Sequence, residues 1–231
     1  MLKSVVFDFD GVIVDSHPAH MRAWKRFLES VGKSATEAEL EFVRDGRTKE
    51  DILRHFLGSL NQDQIRAYGR AKDLLFKEEV GSVRTVAGIR GLLNQLSRAG
   101  LPMAVASSGS SERVHYILDL LGLGDYFATV VTGDEVANGK PDPAIFSQAA
   151  EKLQVSACDS LAFEDSVSGV RAARTAGMKC LGIATPPRSQ SLLDAGAHGV
   201  LSDFRGTSLS QIRKLFFSLE PKPSAAGVCQ I

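Results

Sequence analysis

Val5-Val6-Phe7-Asp8-Phe9-Asp10-Gly11-Val12-Ile13-Val14-Asp15 is the stretch on which the fold turns. Its short apolar run, rich in Val and Phe, predicts a buried strand, and Gly11 releases the backbone into a turn. Asp8 and Asp10 therefore stand at the carboxyl end of a core strand. Ionised groups there are costly to bury unless a cation or a reaction needs them.

Downstream of this strand the pattern becomes helical. Ala19, Trp24, Phe27, Leu28 and Val31 fall at helical spacing over 16–30, with Asp15 or Ser16 placed to cap and Pro18 in the first turn. Further helices are expected at 36–45, 49–57 and 62–79, with no strand between 16 and 80. That block of about 65 residues is too long for a loop and reads as an insertion. Beyond Gly81 strand and helix alternate. Strands are expected at 101–106, 127–131, 160–163, 179–183 and 199–201. Helices are expected at 88–99, 111–121, 143–153, 166–176, 189–195 and 208–218. This alternation predicts an α/β fold, a doubly wound parallel sheet with helices on both faces and an inserted helical cap. The expected division is a core of 1–15 and 87–220, a cap of 16–86, and a flexible tail of 221–231. The cap joins the core near 14–17 and 80–87.

The 231-residue chain is 44% hydrophobic and 23% charged, with zero formal net charge. It is long enough for a sizeable core, and it has no whole-protein field to attract nucleic acid or an anionic membrane. Cys158, Cys180 and Cys229 lack metal-ligand spacing, which points to reduced thiols. The acidic first strand does not suit a signal peptide, and no apolar run approaches the roughly 18 residues of a membrane span. A cytoplasmic monomer acting on a small molecule is expected.

In an open parallel sheet, ligands bind at the carboxyl ends of the strands. Those ends carry Asp8 and Asp10, then Ser107-Ser108-Gly109, then Lys140 in Gly139-Lys140-Pro141-Asp142-Pro143, then Glu164-Asp165-Ser166. The inventory suits phosphoryl transfer. Asp8 and Asp165 with a backbone carbonyl are able to hold Mg²⁺. Ser107 and the amides around Gly109, with Ser108 between them, lie at a helix start suited to phosphate oxygens. Lys140 adds a point charge. Asp8 is then the nucleophile, and Asp10 the group that protonates the leaving oxygen and later takes a proton from water. Read singly, Asp10 is a turn residue, Lys140 a solvated lysine and Glu164-Asp165-Ser166 a helix start; their joint placement at successive strand ends argues for chemistry.

Together these motifs resemble the haloacid dehalogenase superfamily of phosphohydrolases, over residues 1–185. The resemblance implies an aspartyl-phosphate on Asp8, acid–base work by Asp10, and Mg²⁺ held by Asp8, the Asp10 carbonyl and Asp165, with Glu164 a direct or indirect metal partner. An acidic residue at Asp10 favours phosphate-ester cleavage over dehalogenation. The Glu-Asp form of the last motif, with a cap between the first two, resembles the subgroup of β-phosphoglucomutase and small-metabolite phosphatases. The same likeness makes His20, Arg47 and Lys49 the cap residues expected to meet substrate, whereas Trp24 reads as helix core. Lys49 stands where the mutase pattern has arginine, and lysine does not reproduce arginine's bidentate grip. The expectation is a phosphatase of a small phosphorylated metabolite. A sugar-phosphate mutase is the alternative, and a non-hydrolytic phospho-signalling receiver or binding protein a third reading.

Overall fold

Every residue of the first strand, Ser4–Phe7 (β1), is buried, as expected for a strand covered on both faces. The computed structural model describes residues 1–186 and 188–218; the expected tail at 221–231 and Cys229 lie outside the described residues. After β1 come Val14–Asp15 (β2), His17–Ser30 (α1), Glu37–Leu40 (α2), Lys49–Leu57 (α3) and Gln62–Glu79 (α4). Arg84–Thr85 (β3), Ile89–Arg98 (α5), Met103–Ser107 (β4), Ser111–Leu120 (α6) and Thr129–Thr132 (β5) follow. Ala144–Lys152 (α7), Ser160–Glu164 (β6), Val167–Thr175 (α8), Lys179–Ile183 (β7), Arg188–Asp194 (α9), Gly199–Leu201 (β8) and Leu209–Ser218 (α10) complete the described chain.

Six strands form one sheet in the order β5-β4-β1-β6-β7-β8, and every pairing in it is parallel. The chain adds strands on one side of β1 and then returns to its other side, which opens a crevice beside the end of β1. Alternation along β1 sends Val5 and Phe7 into one apolar layer and Val6 into the other. The first layer carries large rings: Phe7 stacks on Phe163 at 5.2 Å, and Phe204 closes on Phe163 edge-on. The second is built from small residues, Ala104, Ala106 and Ala162, which let α7 and α8 approach closely.

The helical block has its own apolar cluster of Trp24, Phe27, Leu28, Leu40, Ile52 and Leu53. Trp24 is buried there, at the helix-core position its spacing predicts. The segments expected to join cap and core pair with each other, Val14 opposite Thr85 and Asp15 opposite Arg84, as a short antiparallel ribbon. Three boundaries differ from expectation by two residues or more, and the strand expected at 101–106 runs Met103–Ser107. The helix expected over 36–45 is α-helical only at Glu37–Leu40 and tightens to a 3₁₀ turn over Glu41–Arg44, because the chain must reach Gly46 in a left-handed conformation (φ +66°). The strand expected at 127–131 starts at Thr129, because Phe127 closes a 3₁₀ turn and sets its ring edge-on to Phe7. No helix among the described residues is long and apolar enough to cross a membrane.

Candidate active site

Strand register explains the centre of the site. Phe7 of β1 is level with Val105 of β4 and Phe163 of β6, so the next residues, Asp8, Ala106 and Glu164, share one level at the sheet edge. Lys140 reaches all three. Its Nζ donates to Asp8 Oδ1, to Glu164 Oε1 at 2.6 Å and to the Ala106 carbonyl at 3.1 Å. An ammonium has three protons, and each has a partner here. The side chain is 1% exposed and its charge lies 5.0 Å from the Phe146 ring. Burial opposes the Lys140 charge, but Asp8 and Glu164 outweigh it and hold the ammonium protonated.

Asp8 is buried, which pushes its carboxyl pKa well up; Lys140 pulls it back, while Glu164, Asp165 and Asp10 add repulsion. Asp165 closes over Gly11, where a Cβ would stand 2.4 Å from Asp165 Oδ2. That places the Asp165 carboxylate against the main chain immediately after Asp10. Two carboxylates and a main-chain carbonyl are hard oxygens that fit a Mg²⁺ ion keeping several waters; in this structure Asp165 is paired with His17 at 2.7 Å and Arg188 at 3.6 Å. Among the described residues no three His, Cys, Asp or Glu side chains are gathered as a metal cluster, and this donor set does not require one. Glu164 is engaged otherwise. Its Oε2 accepts from the Ser166 amide (2.7 Å) and hydroxyl (2.9 Å) while Oε1 takes Lys140. Gly169 allows this packing, since a Cβ there would overlap the Glu164 carboxylate.

Asp10 is held from several sides. Arg113 grips it with two guanidinium nitrogens, at 2.8 Å to Oδ1 and 2.6 Å to Oδ2, and Ser16 Oγ donates to Oδ1 at 2.5 Å. Ser16 thus serves Asp10 and leaves the α1 amides without a side-chain cap. Burial alone would raise the Asp10 pKa, but the Arg113 guanidinium holds it well below the usual carboxylate range.

Of the expected phosphate residues, Ser107, Ser108 and Gly109 lie together between β4 and α6, and Lys140 reaches the site from beyond β5. Ser108 and Gly109 line a cavity of about 90 Å³ with Asp8, Asp10 and Asp165. Ser107 is fully buried behind them, its Oγ accepting the Gly109 N–H at 3.1 Å. Ser108 Oγ donates to the Gly46 carbonyl at 3.2 Å, tying core to cap. His20, Arg47 and Lys49 line the same cavity. Arg47 pairs with Asp45 at 3.1 Å and lies over the Phe42 ring. Lys49 is paired with Asp73. His20 stacks on Phe76 at 4.2 Å.

Sequence reasoning did not find Arg113, Lys72 or His17. His17 Nε2 binds Asp165 Oδ2 at 2.7 Å; burial opposes its charge, but Asp165 raises its pKa above the usual value. Lys72 is 2% exposed, with Nζ 2.9 Å from His20 Nδ1 and near the faces of Trp24 and Phe76. Burial, then Lys72, lower the His20 pKa to about 3. The neutral ring sets Nδ1 against Lys72 Nζ and holds Nε2 3.2 Å from Arg113 Nη1 and 3.4 Å from Asp10 Oδ1. Burial, then Arg113, lower the Lys72 pKa to about 7.

The sign of a pH effect follows. The unfolded chain keeps the Lys72 proton to about pH 10, while the folded chain sheds it near 7. Between these values the unfolded state binds more protons, so stability rises with pH. Urea unfolding at pH 7 and pH 9.5 should show this rise in the wild type and a smaller one in Lys72→Met. Equal rises would refute the assignment.

A model of the haloacid dehalogenase-like hydrolases matches residues 5–183. A phosphorylated carbohydrates phosphatase of Thermotoga maritima is 31% identical over 210 residues, covering 85% of this chain and 92% of its own. The β-phosphoglucomutase of Bacillus subtilis is 32% identical over 198 residues, covering 79% and 83%. The crystal structure of CbbY from Rhodobacter sphaeroides in complex with phosphate superposes with a TM-score of 0.80 at 28% identity, covering 92% of this chain and all of that one.

Proposed function

The chain belongs to the haloacid dehalogenase-like hydrolases, and from that premise we propose that it is a Mg²⁺-dependent phosphatase of a small phosphorylated metabolite, acting through an aspartyl-phosphate on Asp8. Its relatives include phosphatases of phosphorylated carbohydrates and related metabolites, which supports a phosphoric monoester hydrolase. The observation that carries the mechanism is the Lys140 ammonium bridging the ends of three strands beside Asp8.

Asp8 attacks phosphorus, and the bond to the leaving oxygen breaks. Lys140 offsets the repulsion between the Asp8 carboxylate and the phosphate dianion. Asp8, the Asp10 carbonyl and Asp165 would hold Mg²⁺, which supplies further neutralisation of that charge when bound. Ser108 and Gly109 line the phosphate side, and Ser107 behind them holds the Gly109 N–H. Asp10 is ionised while Arg113 grips it, a state suited to taking a proton from the water that hydrolyses the aspartyl-phosphate. To protonate the leaving oxygen in the first step it must part from Arg113. Glu164 positions Lys140. The pairing of Lys49 with Asp73 offers no bidentate guanidinium at that place, which favours hydrolysis over return of phosphate to a sugar.

With a panel of phosphomonoesters, chelator should abolish turnover and added Mg²⁺ should restore it; undiminished turnover in chelator would remove the metal from the scheme.

A further inference from the structure

Beside the catalytic cavity lies a second and larger one. The inner cavity measures about 90 Å³, less than the roughly 150 Å³ that accommodates benzene in an engineered protein core. It suits a phosphoryl group and little more. The outer cavity measures about 590 Å³, within the ordinary range for small-molecule sites. The two share Asp73, Ser110 and Arg113 as common wall.

The outer chamber forms between two helices, α4 of the cap and α6 of the core. Leu74 and Phe76 line it from α4 and Tyr116 from α6. Leu74 is 63% exposed and Tyr116 53%. Among the described residues seven large hydrophobic side chains are exposed, and two of them line this one chamber. Charged groups share the lining, and Lys77 of α4 bonds Glu112 of α6 at 2.7 Å, so the chamber sets an apolar strip from two elements among charges, beside a cavity too small for an ester's organic part.

We propose that this chamber receives the alcohol portion of the substrate, and that the substrate is a phosphomonoester whose organic part is larger than a short alkyl chain and carries an apolar or aromatic face. The proposal rests on the phosphatase reading. It locates the body of the substrate beyond Arg113 and Asp73, with phosphate inside and the organic face against Leu74 and Tyr116. Arg113, which binds Asp10, lines both chambers together with Asp73 and Ser110.

The test uses the full chain with Mg²⁺ and two aryl phosphates of similar leaving-group acidity, phenyl phosphate and 2-naphthyl phosphate. The wild type should favour the naphthyl ester in kcat/KM by about tenfold or more, the discrimination an apolar pocket gives for a few added carbons. Tyr116→Ala and Leu74→Ser, both at exposed positions, should each reduce that ratio, and the double variant should bring it near one. Where turnover is slow, calorimetric binding of the two esters to Asp8→Asn reads the same ratio. A wild-type ratio near one, or a ratio that survives the double substitution, overturns the chamber. Full activity of Asp8→Asn on both esters would instead overturn the phosphatase reading beneath it.

Discussion

Replacing Asp8 by Asn should lower kcat/KM for a phosphomonoester by three orders of magnitude or more while moving the melting temperature by only a few degrees. The two readouts separate because the residue's chemical and structural roles differ. An amide oxygen is a poor nucleophile towards phosphorus, so loss of the carboxylate removes the covalent route altogether. The fold loses little, because burial disfavours the Asp8 charge. Lys140 favours that charge, but Glu164, Asp165 and Asp10 all repel it. The amide is nearly isosteric, and Lys140 keeps its bonds to Glu164 and the Ala106 carbonyl. Steady-state kinetics beside a thermal melt checks both halves; a folded variant with wild-type turnover would refute the role of Asp8.

Lys140→Met should have the opposite profile, harming fold and activity together. Lys140 is the cation between two buried carboxylates, Asp8 and Glu164. Removing it leaves both uncompensated and leaves the Ala106 carbonyl without this donor. Breaking a buried pair in this way costs about 3–5 kcal/mol, on the order of 10 °C in Tm for a chain of this size. Lys140→Met/Glu164→Gln removes one of the stranded charges and should recover part of the stability. It should recover none of the turnover, because phosphate and Asp8 would still meet without the ammonium. A single variant that melts with the wild type, or a double variant that regains activity, would contradict this assignment.

The strand at Ser4–Phe7, the alternation after Gly81 and the strand-end motifs were legible because each is written locally. A short apolar run gives a buried strand, glycines punctuate helix ends, and the carboxyl edge of a parallel sheet is where ligands gather. The level of Asp8, Ala106 and Glu164, by contrast, needed the observed register. Arg113 was not legible. It lies 103 residues from Asp10, on a helix turn that reads as an ordinary solvated face, and only its position shortly after the end of β4 hinted that it points into the crevice. Lys72 misled for the same reason: a lysine in a polar helix reads as exposed until Trp24, Phe76 and His20 are seen to cover it. A signal for His17 did exist. His17, His20 and Trp24 recur at spacings of three and four on α1, which puts them on one face.

The mechanism turns on a phosphoryl group carried on one carboxylate. Rapid acid quench of the enzyme during turnover of a labelled phosphomonoester, followed by borohydride reduction and peptide mass spectrometry, tests it most directly. Reduction of an aspartyl-phosphate converts the residue to homoserine, and that conversion is expected at position 8 alone. Label trapped on the protein with Asp8 unreduced, or homoserine at position 10 in its place, would contradict it.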